Sequence, residues 1–180
     1  IGVSFYHLKK IIQITKMDQL TIERIKLMHP KLRDKTLADY KAANNVLGNG
    51  CRLRFSYTLR TFTEQDRLFK QRPKVTNAKA GQSYHNYGLA FDIVLMYDKD
   101  KNGTFEAVSW DTKYDGDKDG ISDWLEVTKV LTDRGWQNGF ISNGKKWDLP
   151  HFQITFGLNW RELLKRYNTK CFCEGEYVKI

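Results

Sequence analysis

Residues 83–97 read Ser-Tyr-His-Asn-Tyr-Gly-Leu-Ala-Phe-Asp-Ile-Val-Leu-Met-Tyr. Within this stretch, the run from Leu89 to Tyr97 is apolar except for one acid, Asp92. A short apolar run with β-branched and aromatic members indicates a buried strand. A carboxylate inside such a strand is costly unless a cation, a metal or hydrogen bonds compensate its charge. The stretch therefore predicts a central strand with a polar site on it.

The segments around this strand predict an α+β fold. Asp18 to Met28, capped by Asp18, and Lys31 to Leu47 have the apolar spacing of helices, and His29-Pro30 separates them. Leu53 to Leu59 alternates apolar and polar residues, as a half-buried strand does. Helices kept apart from a few strands favour a small, mostly antiparallel sheet flanked by helices, in a single domain spanning 1–180. The other predicted elements are helices from Thr61 to about Gln71, Trp124 to Arg134 and Trp160 to Tyr167, and a strand from Phe152 to Phe156.

The composition narrows the class of protein. The chain of 180 residues carries 30 Lys and Arg against 21 Asp and Glu, a formal charge of +9, and 41% of its residues are hydrophobic. This balance is typical of a folded domain, and no apolar run reaches the roughly 18 residues that a membrane span needs. The charge suits nucleic acid, an anionic membrane surface or an anionic wall polymer. It is uneven, because Asp98 to Glu126 holds nine acids and four lysines, which leaves −5 there and +14 elsewhere.

Two histidines lie close in sequence to carboxylates. His85 precedes Asp92 by seven residues, and His151 follows Asp148 by three, with Pro150 between them. Two histidines and one carboxylate form a catalytic zinc ligand set that leaves the fourth position to water. A further carboxylate nearby can accept the proton of that water. Taken singly, each histidine also fits a hydrogen-bonded structural residue.

The order of these residues is similar to that of a known family. Ser83-x-His85-x-x-Gly88-x-Ala90-x-Asp92 followed by Asp148-x-x-His151 resembles the zinc D,D-carboxypeptidase superfamily, which includes the vancomycin-resistance D,D-peptidases. The version Asp-Leu-Pro-His-Phe-Gln at 148–153 looks most like the L-alanyl-D-glutamate endopeptidase branch of phage endolysins and bacterial wall hydrolases. The carboxypeptidase branch usually carries Glu-Pro-Trp-His there. The resemblance includes 29–33 and 57–66, and it covers roughly 20–167.

The resemblance implies a Hedgehog/D,D-peptidase-like fold and a single zinc peptidase domain. A guanidinium is suited to neutralising an oxyanion or holding a substrate carboxylate, and this is the role that the family implies for Arg60. Gln65 is interpreted as an ordinary helix-face residue. The implied site residues are His85, Asp92 and His151 for zinc, Asp148 as general base, Arg60 for catalysis, and Ser83, Tyr84 and Gln153 for the substrate pocket.

The expected activity is zinc-dependent hydrolysis of peptidoglycan stem peptides at the L-alanyl-D-glutamate bond by metal-activated water. The alternatives are a D,D- or L,D-carboxypeptidase and a zinc-containing wall-binding or signalling module without turnover. Asp148 and Arg60 favour an enzyme, because a pure binding module has no use for a base. Nucleic-acid binding is not expected, since no recognition helix or stacking motif is present.

The expected partners are the stem peptide and an anionic wall polymer, which the basic charge would attract. The chain is expected to be a monomer. It is expected to act in the cell envelope or after secretion, or to stay in the cytoplasm before release if it is a phage product. No signal peptide is visible from Ile1 onward.

The acidic segment predicts a second metal. Residues 115–126 read Asp-Gly-Asp-Lys-Asp-Gly-Ile-Ser-Asp-Trp-Leu-Glu, with acids at loop positions 1, 3, 5, 9 and 12 and glycine at 6, which is the EF-hand spacing. The alternative is an exposed acidic turn followed by a capping box from Asp123 to Glu126. The acidic inserted loop is placed at 98–123. The possible calcium ligands are Asp115, Asp117, Asp119, Ile121, Asp123 and Glu126.

Overall fold

The computed structural model describes residues 17–142 and 145–180, with side chains except at 140–147. Residues 1–16, which the predicted domain includes, lie outside the described residues. The helices within these ranges are α1 (Gln19–Lys26), α2 (Arg33–Val46), α3 (Phe62–Lys70), α4 (Asp123–Asp133) and α5 (Trp160–Asn168), with 3-10 turns at Pro30–Leu32 and Tyr84–Tyr87. The strands are β1 (Cys51–Tyr57), β2 (Ala90–Tyr97), β3 (Ala107–Ser109), β4 (Gln137–Ser142), β5 (Lys145–Gln153), β6 (Phe172–Glu174) and β7 (Tyr177–Val178).

The main sheet confirms the α+β prediction. Its strands lie in the order β1-β2-β5-β4, β3 pairs with the far end of β2, and every pairing is antiparallel. Strands β6 and β7 form a separate hairpin. No helix within residues 17–142 and 145–180 is both long and apolar enough to cross a bilayer.

Strand β2 is the centre of the core, as its sequence predicts. The side chains of Phe91, Ile93 and Leu95 are fully buried. The Phe91 ring stacks on Phe55 of β1 at 4.0 Å and on Phe152 of β5 at 5.6 Å between centroids. Asp92 is the exception, because 23% of its side chain is exposed. The buried strand therefore opens to solvent only where its acid lies.

The predicted strand Phe152 to Phe156 is wrong in its bounds. The strand β5 ends at Gln153, and Phe156 and Gly157 have φ angles of 51° and 75°, which turn the chain away. It begins at Lys145, seven residues earlier than predicted. A bulge interrupts its pairing with β4. Residues 148–151 lie between the paired positions Trp147 and Phe152, opposite Gly139 alone. The sequence motif that contains Asp148 and His151 is thus displaced from the ladder with β4, while His151 stays paired with Asp92 of β2 on the other side of β5.

Gly88 joins the 3-10 turn at 84–87 to β2 through a left-handed conformation, with a φ of 67°. Its carbonyl accepts a hydrogen bond from His29 N at 2.9 Å. A Cβ at this position would lie 2.7 Å from that same nitrogen, which is backbone and has no freedom to move aside. Glycine is therefore required both by the angle and by the close approach.

Gly88→Ala is expected to lower the free energy of unfolding by more than Gly135→Ala does. Both glycines have a positive φ, so both substitutions incur the left-handed penalty of about 1–2 kcal/mol. Only Gly88 adds a backbone clash, since nothing lies within 4 Å of a Cβ at Gly135. Urea unfolding of the two variants measures the difference. Equal losses would contradict the close approach.

Candidate active site

Three elements bring one ligand atom each to a common point. Asp92 lies on β2 and is paired directly with His151 on β5, and the 3-10 turn supplies His85. His85 Nε2 is 3.2 Å from Asp92 Oδ1 and 3.1 Å from His151 Nδ1. His151 Nδ1 is 3.0 Å from the same Asp92 oxygen. The structure thus brings together the three residues that the sequence predicts as zinc ligands.

The outer nitrogen of each ring is held by an acceptor. His85 Nδ1 lies 2.7 Å from Thr58 O, and because a carbonyl only accepts, this nitrogen carries the hydrogen. His151 Nε2 lies 3.0 Å from Gln153 Oε1, and Gln153 Nε2 in turn donates to Gln137 Oε1 at 3.2 Å. Each neutral ring therefore directs a lone pair inward. Such outer partners orient the imidazoles of metal sites.

This donor set fits zinc. Two imidazole lone pairs and a carboxylate oxygen at 3.0–3.2 Å repel one another unless a proton or a metal ion lies between them. Zinc at 2.0–2.1 Å from tetrahedral ligands requires ligand atoms about 3.3 Å apart, close to these separations. Both histidines are buried, at 2% and 4% exposure, whereas Asp92 is open on one side. The site can hold an ion and still admit a further ligand.

The interaction between Asp92 and His151 shifts the pKa of both groups. Burial acts to raise the pKa of Asp92, but the charges and hydrogen bonds of His85 and His151 outweigh it and lower that pKa well below its ordinary value. Burial acts to lower the pKa of His151, but the hydrogen bond and charge of Asp92 outweigh it and raise that pKa. Asp92 is therefore ionised and able to act as a ligand.

Asp148 lies in the bulge of β5 with a φ of 60°, a left-handed conformation that aspartate tolerates better than most residues. The residue is exposed. Desolvation of its carboxyl and then the charge of Asp92 raise its pKa, while His151, His85 and Arg60 act in the opposite direction. These couplings place the carboxylate in the electrostatic field of the cluster.

Arg60 lies on the other side of Asp92, with Nη2 3.9 Å from Asp92 Oδ2. Its guanidinium is 4.5 Å from the centre of the Tyr57 ring, and Nη1 donates to Gln65 Oε1 at 3.0 Å. Its Nε is buried and has no hydrogen-bond partner within the described part of the chain. The side chain is thus held beside Asp92 by its contacts with Tyr57 and Gln65.

Gln65 is not the ordinary helix-face residue that the sequence suggests. It is fully buried, accepts from Arg60 and donates through Nε2 to Ala78 O at 2.7 Å. Sequence reasoning missed it because α3 is amphipathic without it, and a polar residue on a short helix is usually exposed. The spacing of five residues after Arg60 was the only signal.

The three predicted substrate residues occupy different places. The Ser83 hydroxyl caps the 3-10 turn by accepting from His85 N at 3.3 Å. The Tyr84 hydroxyl donates to Leu158 O at 2.9 Å. Gln153 lies behind His151, with both ends of its amide bonded inside the protein. Their part in substrate binding stays a prediction, and the structure shows each of them supporting the metal-binding elements.

The acidic loop brings three of its six predicted calcium ligands close together. Oxygens of Asp115, Asp117 and Asp123 lie within 4.8 Å of one another. Asp123 is fully buried and accepts from Tyr97 Oη at 2.7 Å, so it does not cap α4. The N-cap is Ser122, without a side-chain bond, which excludes the capping-box alternative for these residues.

Asp119 and Glu126 are two further predicted calcium ligands in this loop. Asp119 Oδ1 accepts from Ile121 N at 2.8 Å. Glu126 Oε2 is buried and has no hydrogen-bond partner in the described residues. Desolvation, followed by the charges of four neighbouring aspartates, raises the pKa of Glu126 to about 7. The loop thus concentrates negative charge that nothing within the described residues neutralises.

An α+β fold whose antiparallel sheet carries a His-Asp-His cluster, with a carboxylate and an arginine close by, has the donor set that a metal-dependent hydrolase requires. A family model described as D-alanyl-D-alanine carboxypeptidase matches residues 76–154, the segment that contains the cluster and Asp148. Over 133 residues the chain is 38% identical to the peptidoglycan L-alanyl-D-glutamate endopeptidase CwlK of Bacillus subtilis (strain 168), covering 71% of this chain and 73% of that protein. The chain belongs to the zinc D,D-carboxypeptidase/L-alanyl-D-glutamate endopeptidase superfamily of peptidases, which confirms the resemblance.

Proposed function

We propose that the chain is a zinc-dependent peptidoglycan peptidase that cleaves stem peptides between L-alanine and D-glutamate. The convergence of donor atoms from His85, Asp92 and His151 carries the proposal, because two imidazoles and a carboxylate at these separations form a zinc ligand set. The activity in the name of its Bacillus relative and the sequence Asp-Leu-Pro-His-Phe-Gln at 148–153 support the choice of bond.

Each residue of the site has a separate role in the proposed hydrolysis. Zinc held by His85, Asp92 and His151 would supply Lewis acidity and lower the pKa of water. Asp148 accepts the proton of the attacking water and returns it to the leaving amine. The guanidinium of Arg60, whose Nη2 lies 3.9 Å from Asp92 Oδ2, would stabilise the negative charge that develops on the scissile carbonyl oxygen. Gln153 and the Thr58 carbonyl keep both imidazoles in the tautomer that binds metal.

The second candidate is a D,D- or L,D-carboxypeptidase, which the description of the matching family model favours. Both candidates use the same groups and differ only in the bond presented to them. A wall-binding module without turnover is the third candidate. The presence of Asp148 and Arg60 argues against the binding module, since such a module needs neither a base nor an oxyanion donor.

Digestion of purified peptidoglycan with zinc-loaded protein, followed by mass spectrometry, distinguishes the three. New L-alanine carboxyl ends and D-glutamate amino ends are the expected products. Release of single D-alanine residues would replace the endopeptidase with the carboxypeptidase. Absence of any product would leave only the binding module.

The proposed setting follows from the substrate. A peptidoglycan peptidase acts in the cell envelope or after secretion, or waits in the cytoplasm before release if it is a phage product. The net charge of +9 favours an anionic wall polymer as a second partner. We expect the protein to act as a monomer.

Gln65→Met is expected to lower kcat without loss of zinc, because it removes the acceptor that holds Arg60 and leaves a buried donor unpaired. The unpaired group should also cost about 1–3 kcal/mol of unfolding free energy. Gln71→Met is the matched control, since Gln71 lies at the exposed end of the same helix. Steady-state kinetics and zinc analysis check both variants. Wild-type kcat in Gln65→Met would remove this residue from the support of Arg60.

We also propose that the acidic loop binds calcium through Asp115, Asp117, Asp119, the Ile121 carbonyl, Asp123 and Glu126. The EF-hand spacing supports it, and so does the buried Glu126 oxygen that lacks a partner in the described residues. A divalent ion would offset the repulsion that raises the pKa of Glu126.

Calcium is expected to raise the melting temperature of the wild type by mass action, and Glu126→Gln should weaken its affinity at least about tenfold by removing the ligand at position 12. Glu23→Gln is the control, because Glu23 is exposed and its partners within the described residues are Lys26 and Gln19. Isothermal titration and thermal melts of the zinc-loaded protein measure both effects. No heat and no thermal shift with wild type would end the calcium hypothesis.

A further inference from the structure

An exposed basic surface lies on α3 and the loop that follows it. All its cations are exposed, and no acid occurs anywhere from Arg67 to Phe91. This distribution is the reverse of the acidic segment Asp98 to Glu126. We call this feature the basic loop surface, and its members are Arg67, Lys70, Arg72, Lys74 and Lys79.

The charges of the basic loop surface are not neutralised within the protein. Some other exposed cations form ion pairs, such as Lys26 with Glu23 and Lys129 with Asp133. None of the five does so among residues 17–142 and 145–180. The segments 1–16 and 140–147 contain no Asp or Glu that could do so instead. The surface therefore carries five uncompensated positive charges.

The cations are held together by local contacts. Lys74 Nζ and Lys79 Nζ lie 5.4 and 5.6 Å from the centre of the same Phe69 ring. Arg72 Nη1 donates to the carbonyls at the end of α3, including Lys70 O at 3.1 Å. These contacts keep like charges close to one another, which produces a concentrated positive field.

The loop is also joined firmly to the active site. Gln65 donates to Ala78 O at 2.7 Å, and Asp66 Oδ1 accepts from Ala80 N at 3.0 Å, so α3 holds the loop at two points. The same chain then continues directly into Ser83 and His85. A polymer bound on this surface would be held beside the metal site.

We infer that the basic loop surface binds a linear wall polymer whose charges are phosphodiesters. The assignment of this polymer to the cell wall rests on the proposed function. A single-stranded nucleic acid would also present phosphates, but its binding gains affinity when its bases stack on open aromatic faces. The aromatic ring of the basic loop surface, Phe69, is occupied by two ammonium groups. A phosphodiester polymer without bases matches this surface, and it would keep the peptidase on its substrate through contacts remote from the scissile bond.

The test uses a fourfold variant of the zinc-loaded protein, Arg67→Gln with Lys70→Gln, Lys74→Gln and Lys79→Gln. Its matched control replaces four lysines of the acidic segment, Lys99, Lys101, Lys113 and Lys118, by glutamine. Both variants lower the net charge from +9 by the same amount. The probe is poly(glycerol phosphate), with binding measured over a range of salt concentrations and thermal melts verifying the fold.

The surface variant is expected to bind poly(glycerol phosphate) at least about tenfold more weakly, and its slope of log K against log salt should become shallower by about three. The control should bind like the wild type. Hydrolysis of a soluble muropeptide should be the same in all three proteins, whereas hydrolysis of polymer-bearing walls should fall only in the surface variant.

Three outcomes would overturn the inference. Equal binding by the surface variant and the wild type would show that these residues do not contact the polymer. Equal losses in both variants would assign the effect to net charge alone. Binding of a single-stranded oligonucleotide as tight as that of poly(glycerol phosphate) at the same salt would remove the preference for a wall polymer. Failure of the wild type to cleave any muropeptide would refute the proposed function instead, and would leave the binding result standing.

Discussion

Asp148→Ala is expected to lower kcat by a factor of about 10²–10⁴ while the protein retains its zinc. Asp148 lies in the bulge of β5, outside the cluster of ligand atoms formed by His85, Asp92 and His151. Removing it takes away the acceptor for the proton of water but none of the three metal ligands. Steady-state kinetics on a stem-peptide substrate and zinc analysis of the same preparation measure the two effects.

Asp133→Ala is the matched control for Asp148→Ala, because Asp133 is an exposed carboxylate at the end of α4 whose partner in the described part of the chain is Lys129. It should leave kcat unchanged. Near-wild-type kcat in Asp148→Ala would exclude the carboxylate as the general base. Loss of zinc from Asp148→Ala would instead assign Asp148 to metal binding.

His85→Ala is expected to lose zinc and, with it, all measurable turnover. It removes one of three ligand atoms that lie 3.0–3.2 Å apart, and no other donor in the described cluster replaces it. It also abolishes the bond to the Thr58 carbonyl that orients the ring. Two remaining ligands hold zinc too weakly for a catalytic site, which requires three from the protein.

Asp92→Asn provides a second variant for the same test, since it keeps the shape of the side chain but removes its charge. It should also lose zinc, because an amide is a much poorer ligand for this ion than a carboxylate. Metal analysis after dialysis measures both variants, and circular dichroism verifies that each is folded. Full zinc occupancy in His85→Ala would show that the ion binds elsewhere.

The sequence was sufficient for the central strand and for the order of the site residues. An apolar run interrupted by one acid has few structural solutions, so Leu89 to Tyr97 predicts both β2 and the polar opening at Asp92. The spacing from His85 to Asp92 and from Asp148 to His151 matched a known family, and the comparisons confirm the membership.

The pairing of β4 with β5 could not be predicted from the sequence. The bulge at 148–151 arises where β4 and β5 pair on both sides of it, and this depends on the register of Phe140 with Trp147 and of Asn138 with Phe152, which no local pattern sets. The predicted strand from Phe152 was therefore misplaced. Gln65 was misjudged for the same reason, because its burial depends on Arg60 and Ala78 rather than on its own helix.

The sequence by itself therefore determined which residues are candidates for the chemistry, because ligand type and local spacing are properties of the covalent sequence. Only the tertiary structure decided how they act together. Antiparallel pairing of β2 with β5 sets His151 opposite Asp92, and the Thr58 carbonyl and Gln153 point both imidazole lone pairs inward. The convergence that creates a metal site is the sum of contacts between distant segments, and such contacts exist only once the chain has folded.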